Sequence, residues 1–262
     1  MGQTEYVFQN TEDQREMDRL RAIETIFDPA TRRRLIFAGL REGSQCLEVG
    51  PGAGSIMTWM AENAGRSGAV TAVDINTRFI DNPPFNVRVL NGDIRTVTLE
   101  PESFDLVHTR YVLIHIPDFL AVLEILRRVL KPGGSLVLEE PDFSASHPLG
   151  GEESETQSFK KVHQAIVRMY SSKGMDHSLG AKLPALLKEF GLKNITTEND
   201  APVSQGGSEI ACMMGLSASQ LRDQYMATGE ASLEDLENYG KFSQNPDSRA
   251  IYYATIGTMG QK

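Results

Sequence analysis

Between residues 45 and 139, short unbroken apolar runs alternate with stretches of helical periodicity, and this alternation constrains the fold more than any other feature. The runs are Gln45 to Val49, Ala69 to Val73, Val87 to Leu90, Phe104 to His108 and Ser135 to Glu139. Ile56 to Ala64 and Phe119 to Leu130 instead repeat apolar residues at three- and four-residue steps. Strands that are apolar along their whole length need cover on both faces, which a parallel sheet with crossover helices supplies. The expected class is therefore α/β, a Rossmann-like, mostly parallel sheet with helices on both faces.

The flanks read differently. From Glu12 to Leu40 the pattern is helical, with Met17, Leu20, Ile23 and Phe27 on one face. Asp28-Pro29 is expected to break this stretch, Asp28 capping a second helix that Pro29 opens and that runs to Gly39. Beyond Ser158, helices are expected over Phe159 to Tyr170 and Leu183 to Phe190, and strands over Asn194 to Glu198 and Ala250 to Ile256. Between those strands Ser217 to Thr228 and Leu233 to Tyr239 look helical. The tail is expected to complete the same sheet.

Composition narrows the partners. The chain has 262 residues, 40% of them hydrophobic, enough for one large core. A formal net charge of -9 argues against a phosphate-rich partner, so no nucleic acid is expected. No apolar run reaches the length of a membrane span, and the N-terminus lacks a basic-then-apolar signal pattern. Cys46 and Cys212 form neither a disulfide framework nor a metal-ligand spacing, which points to a reducing, cytoplasmic location and no metal. Nothing decides the oligomeric state, and a homodimer is compatible with the sequence.

The chemistry-bearing feature is Glu48-Val49-Gly50-Pro51-Gly52-Ala53-Gly54. Glycines there let the chain turn sharply and let backbone approach a ligand. Such a pattern alone is weak, since turns use glycine for local reasons; here it follows a strand and opens a helix. Twenty residues past Gly54, Asp74 ends the next strand, where an acid reaches ribose hydroxyls; Asp93 ends the strand after. Taken singly, Asp74 is also readable as a helix cap and Asp93 as a turn residue after Asn91-Gly92. A dinucleotide fingerprint needs a third glycine where Ser55 stands, and Glu48 would repel a pyrophosphate. An uncharged or cationic nucleoside derivative fits better.

These residues resemble the motifs of class I S-adenosylmethionine-dependent methyltransferases. Leu47 to Gly54 resembles the first motif, Val73-Asp74-Ile75 the acidic second-strand motif, and Gly92-Asp93-Ile94 the adenine-contacting one. Phe104-Asp105-Leu106-Val107 with Tyr111 to His115 is similar to the fourth-strand segment of small-molecule members, and Leu130-Lys131-Pro132-Gly133-Gly134 to the turn before the fifth strand. Tyr6-Val7-Phe8 with Glu16 to Leu20 resembles the N-terminal lid of a bacterial natural-product subgroup.

The resemblance implies a seven-stranded sheet with its last strand antiparallel. It implies an N-terminal helical lid over 1–42, and a core over 43–262 with substrate-cap insertions at about 141–182 and 202–246. It also implies S-adenosyl-L-methionine as cofactor, with S-adenosyl-L-homocysteine as product. Glu48, Gly50, Gly52 and Gly54 would surround the methionyl part. Asp74 would take the ribose hydroxyls, and Ile75 would pack on the adenine. Asp93 would accept from the adenine amino group while the Ile94 amide meets a ring nitrogen. Thr109 and Arg110 would line the methionyl end. Tyr6 and Arg15 are lid candidates, although Arg15 reads first as a solvated helix arginine.

The reaction expected is methyl transfer to oxygen, nitrogen or carbon of a small molecule by in-line displacement, which chiefly requires alignment and exclusion of water. A base is needed only for a protonated acceptor. His115 is the first candidate; its alternative is a helix-start histidine whose ring bonds to backbone. His147 and His177 are further candidates, Tyr111 and Tyr170 could position a hydroxyl, and His108 and His163 read as surface or core residues. Met169, Met175, Met213 and Met214 fall in the segments expected to form an apolar acceptor pocket. A binding protein or a non-methylating catalyst on the same fold, and a nicotinamide-dependent oxidoreductase, are the competing readings.

Overall fold

The computed structural model describes residues 13–262, with side chains from Gln14 onward. In chain order the elements begin with α1 (Asp13–Phe37), β1 (Gln45–Val49), α2 (Ser55–Ala64), β2 (Ala69–Asp74), β3 (Val87–Asn91) and β4 (Phe104–Arg110). A 3-10 turn over Leu113–His115 leads to α3 (Phe119–Val129) and β5 (Leu130–Asp142). Then come β6 (His147–Gly150), α4 (Glu153–Ser172), α5 (Leu179–Glu189), β7 (Lys193–Asp200) and β8 (Ser204–Gln205). The chain closes with α6 (Glu209–Gln220), α7 (Arg222–Ala227), α8 (Leu233–Gln244), β9 (Arg249–Ile251) and β10 (Ala254–Gln261). They divide into two units: residues 27–140, 180–198 and 256–262 form one, and the described remainder, 13–26, 141–179 and 199–255, the other.

The unit that holds the glycine turn is built on the seven-stranded sheet, ordered β3-β2-β1-β4-β5-β10-β7. The pairs β1–β2, β1–β4, β2–β3 and β4–β5 are parallel. Gly133 N bonds Lys262 O at 2.9 Å and Lys262 N bonds Gly134 O at 3.0 Å, so β10 ends where β5 begins and runs against it. The expected mostly parallel sheet is thus present. Its core gathers Cys46, Val70, Leu106 and Val137 from the strands with Leu35 of α1, Ile56 and Met60 of α2, and Met259 of β10. α3 turns Val122, Leu123, Leu126 and Val129 inward and leaves the Arg127–Glu124 pair to solvent, as a 3.6-residue stripe requires.

The other unit contains α4, α6, α7 and α8 and a small antiparallel sheet ordered β6-β9-β8. Phe159 of α4 meets Tyr239 and Phe242 of α8 and Tyr252 at ring separations of 5.1 to 5.4 Å. A reciprocal cap between Ser232 and Asp235 opens α8.

Two expectations are corrected. Asp28-Pro29 does not break the helical preface; α1 runs through it as one helix with Pro29 inside. Asp28 is not a cap, because its carboxylate is taken by Arg110 at 3.0 Å and Arg32 at 3.3 Å. Side-chain bonds from Thr31 and Arg34 to Glu139 hold the turn after Pro29 in place, offsetting the missing backbone donor. Ala250 to Ile256 is two strands rather than one. The chain leaves β9 at Tyr252-Tyr253, both buried side chains, and only β10 enters the large sheet. The tail therefore completes that sheet only through β7 and β10; β6, β8 and β9 form the other.

Candidate functional site

The carboxyl ends of β1, β2 and β4 come level, Val49 standing opposite both Val73 and Thr109. Everything that follows these strands emerges at one edge, where open parallel sheets bind ligands. The glycine turn starts there. Gly50, Gly52 and Gly54 have φ of 72°, 58° and 91°, in the left-handed region that side chains avoid. Gly50 is the stringent position: a Cβ on it would lie 2.2 Å from Val112 Cγ2. Its amide bonds Val73 O at 2.9 Å, which stitches the turn to β2.

Asp74 lies beside this turn. Its carboxylate accepts from the Asn76 amide at 2.9 Å. Burial pushes it up to about 6, against the pull of the Asn76, Gly52 and Ile75 amides. The Gly52 amide thus ties this acid to the turn. Ile75 is 51% exposed, an apolar surface in search of cover next to that acid. Asp93 follows β3, and its carboxylate is gripped by the Arg95 guanidinium and accepts from the Arg95 amide at 2.9 Å. The Arg95 side chain is what holds it below the usual carboxylate range. Ile94 is buried.

Past β4 the expected residues separate. Thr109 is fully buried, and its hydroxyl has no hydrogen-bond partner among the described residues. Arg110 is committed to α1, donating to Thr31 Oγ1 at 2.8 Å and Asp28 Oδ1 at 3.0 Å. Tyr111 adopts φ of 57° and packs edge-on against Phe27. Glu140 accepts from the amides of Val112, Leu113 and Ile114 at 2.8 to 3.2 Å, capping the start of the 3-10 turn. Burial pushes Glu140 up to about 8 in spite of those donors. His115 ends that turn, half-buried, three residues beyond the Val112 that packs on Gly50. Arg15 is an exposed residue of α1 in the other unit, and Tyr6 lies outside the described residues.

Glu48 belongs beneath the turn rather than on its surface. It is 3% exposed, and His108 Nδ1 donates to its Oε2 at 2.6 Å. Glu139 lies on the far side of His108, with 3.5 Å between Oε1 and Nε2. Burial alone would lower His108, but Glu48 and Glu139 outweigh it and carry the imidazole up to about 9. Glu139 is held below its usual range, burial being overcome by His108, Arg110 and Arg34. His108, read from sequence as surface or core, is the centre of this group. The signal was present in the sequence as ionisable residues inside otherwise apolar strands, at positions 48, 108, 139 and 140.

Among the described residues no cluster of three His, Cys, Asp or Glu is arranged to hold a metal, and no helix is long and apolar enough to cross a membrane. Residues 47–138 match the family described as methyltransferase domain. Demethylmenaquinone methyltransferase of Staphylococcus aureus is 31% identical over 146 residues, covering 53% of this chain and 60% of that protein. The chain thus spans less than two thirds of the length of the curated relatives it matches. In fold, the domain and its flanks are similar to phosphoethanolamine N-methyltransferase 2 of Haemonchus contortus, solved with phosphomonomethylethanolamine and S-adenosylhomocysteine. The TM-score is 0.62 at 18% identity, with 100% of this chain and 60% of that one covered. The [4+2]-cyclase SpnF has the same fold at TM-score 0.56 and 18% identity, with 90% of this chain and 80% of that one covered.

Proposed function

We propose that this chain binds S-adenosyl-L-methionine at the carboxyl edge of its large sheet and methylates a small molecule by in-line displacement. The observation that carries the reading is the turn Gly50 to Gly54, left-handed at three glycines, with Asp74 and the exposed Ile75 beside it. The residues fit the cofactor. Gly50, Gly52 and Gly54 leave the turn's amides without side chains over them, the Thr109 hydroxyl is buried and unmatched, and Glu48 beneath the turn suits a cation better than a phosphate.

When bound, the cofactor supplies a methyl group on a sulfonium, a good leaving group. The chain's own work is to bind and align. Asp74, ionised above about pH 6, accepts from ribose hydroxyls, and Ile75 covers one face of the base. Asp93 and the Ile94 amide read the base edge, with Asp93 sharing its oxygens with Arg95. Gly50, Gly52 and Gly54 bring backbone amides close to the amino-acid end, and Thr109 offers a hydroxyl there. Arg110 acts at one remove, anchoring α1 through Asp28 and Thr31. Tyr6 and Arg15 remain lid candidates. His115 is the proposed base for an acceptor that must lose a proton, placed by the turn that Glu140 caps.

Acceptor selection belongs to the segments 141–182 and 202–246, proposed as cap insertions, and to the lid over 1–42. Met169, Met175, Met213 and Met214 are all buried there, and Phe143 stacks on Tyr170 and touches Tyr253. An apolar or aromatic acceptor suits such an interior. The protein is proposed to act in the cytoplasm, without nucleic acid or membrane as partner, as a monomer or homodimer. A second reading is the same ligand bound without methyl transfer, since a [4+2]-cyclase shares this fold.

Calorimetry with S-adenosylmethionine, S-adenosylhomocysteine and NAD tests the first step. Binding of the adenosyl ligands and not NAD is expected, and NAD binding alone would overturn the proposal. Isotope transfer from labelled methyl donor to a panel of apolar hydroxy and amino compounds then separates methylation from binding alone.

A further inference from the structure

The ligand-holding residues leave a set of buried charges beneath the glycine turn unused. Glu48, His108 and Glu139 stand on neighbouring strands β1, β4 and β5, with Glu48 and His108 in register. None is more than 3% exposed. The groups facing them come from α1, β4 and β7. Arg34 and Thr31 of α1 bond Glu139 Oε2 at 3.0 and 2.9 Å. Arg110 of β4 joins Thr31 to Asp28, and Glu198 of β7 takes Arg34 Nε at 3.0 Å.

Counted over the enclosed groups alone, the charges call for one more cation. Asp28, Glu48 and Glu139 are buried carboxylates, while Arg34 and Arg110 are the guanidiniums that meet them inside. Three negative charges face two positive ones, and a protonated His108 closes the difference. A neutral imidazole would leave one uncompensated charge in the sheet interior, which is strongly unfavourable. Glu198 and Arg32 lie at the solvated rim, where water screens them. Glu140 points from the next position of β5 and is satisfied by three amides of its own.

We infer that His108 is a positioning residue for the ligand site: as an imidazolium it holds the Glu48 carboxylate fixed two residues before Gly50, facing the cationic amino-acid end of the ligand. The inference rests on the proposed adenosyl ligand. Glu48 is the member that depends on His108. Its carboxylate is hydrogen-bonded to that ring alone among the described residues, whereas Glu139 also has Arg34 and Thr31. In His108→Gln an N–H remains to meet Glu48, but the positive charge is gone. The cation that fixes the Glu48 carboxylate is then lost.

The test is calorimetry of the full chain and of His108→Gln with two probes, S-adenosylhomocysteine and 5′-methylthioadenosine. The second has the same nucleoside and no amino-acid end. His108→Gln is expected to weaken S-adenosylhomocysteine by about tenfold, the worth of one charge-assisted contact, and methylthioadenosine by less than about twofold. Equal weakening of both probes would reduce His108 to a structural residue and overturn the inference. Unchanged or tighter S-adenosylhomocysteine binding would overturn it too. An unaltered protein that binds neither probe removes the proposed function and this inference together, a failure visible before any substitution.

Should His108→Gln fail to fold, the nitrogen-15 spectrum of the unaltered protein decides. At pH 8 one of its five histidines is expected to be doubly protonated, with a far-downfield ring proton. Five neutral rings would overturn the inference.

Discussion

Substituting Gly50 by alanine tests the geometry of the turn more sharply than any loss of a side chain. Two costs arise at this position. The backbone sits at φ of 72°, where a Cβ costs about 1–2 kcal/mol. That Cβ would also stand 2.2 Å from Val112 Cγ2, well inside contact distance. Valine is stiff about its first torsion, so the methyl cannot swing aside freely, and overpacking of this kind costs about 1–3 kcal/mol. The sum, about 2–5 kcal/mol, is a large part of the 5–15 kcal/mol or so that holds a domain together. At about 2–4 °C per kcal/mol for a chain of this size, the melting midpoint should fall by about 4–20 °C.

The single tryptophan provides the assay, because Trp59 lies in α2, the helix that the turn opens. Its fluorescence reports unfolding at the site itself. Gly50→Ala with Val112→Ala should recover the overpacking share and leave the backbone share, so the double variant lies between the two. A midpoint unchanged in Gly50→Ala, or no recovery in the double variant, would refute the reasoning.

Four further outcomes follow from buried charge. Asp74→Asn should raise the melting midpoint at pH 7 while weakening adenosyl binding by tenfold or so. Burial has lifted that carboxyl to about 6, so its ionised form costs stability as pH rises from 3.8 through 6. A variant that loses stability at pH 7, or binds as before, contradicts this. In the unaltered protein, adenosyl affinity should decline as pH drops through about 6, and a flat profile there would show that the carboxylate is not the acceptor. Arg34→Met should destabilise by about 3–5 kcal/mol, since it strands Glu139 without its guanidinium, measured by urea titration; a loss below about 1 kcal/mol would mean the pair is dispensable. His108, lifted from 6.5 to about 9, contributes stability that is complete below pH 6.5 and lost as pH rises through 9. Melting midpoints from pH 7 to 10 should therefore fall more steeply in the unaltered protein than in His108→Gln.

Legibility in the sequence followed periodicity. β1 and β2 were readable to within one residue because each is a short, mostly apolar and mostly buried run with a turn or an acid at its end. The glycine turn, Asp74 and Asp93 were readable because each stands at the end of such a run. What escaped depended on partners distant in sequence. Pro29 reads as a breaker from local chemistry, yet α1 continues because Thr31, Arg34 and Asp28 bond Glu139 and Arg110, roughly a hundred residues on. The two-residue β8 and three-residue β9 carry too few positions for any period to show. Ala250 to Ile256 looked like one strand because nothing local marks where it changes sheets.

The same distinction changes what makes the glycine turn specific. Glycines at 50, 52 and 54 permit a close approach, and many nucleotide-binding turns do the same. The discriminating chemistry lies one layer down, where a carboxylate that would repel a diphosphate is kept buried by His108 and, through it, by Glu139 and Arg34. A surface acid could drift away from a phosphate at little cost. Glu48 has no such freedom, because its partner is locked between two strands. Moving it would expose a charge deficit across three strands of the sheet. On the proposed reading, preference for a cationic ligand over a pyrophosphate is set in the sheet's interior, and the turn transmits it.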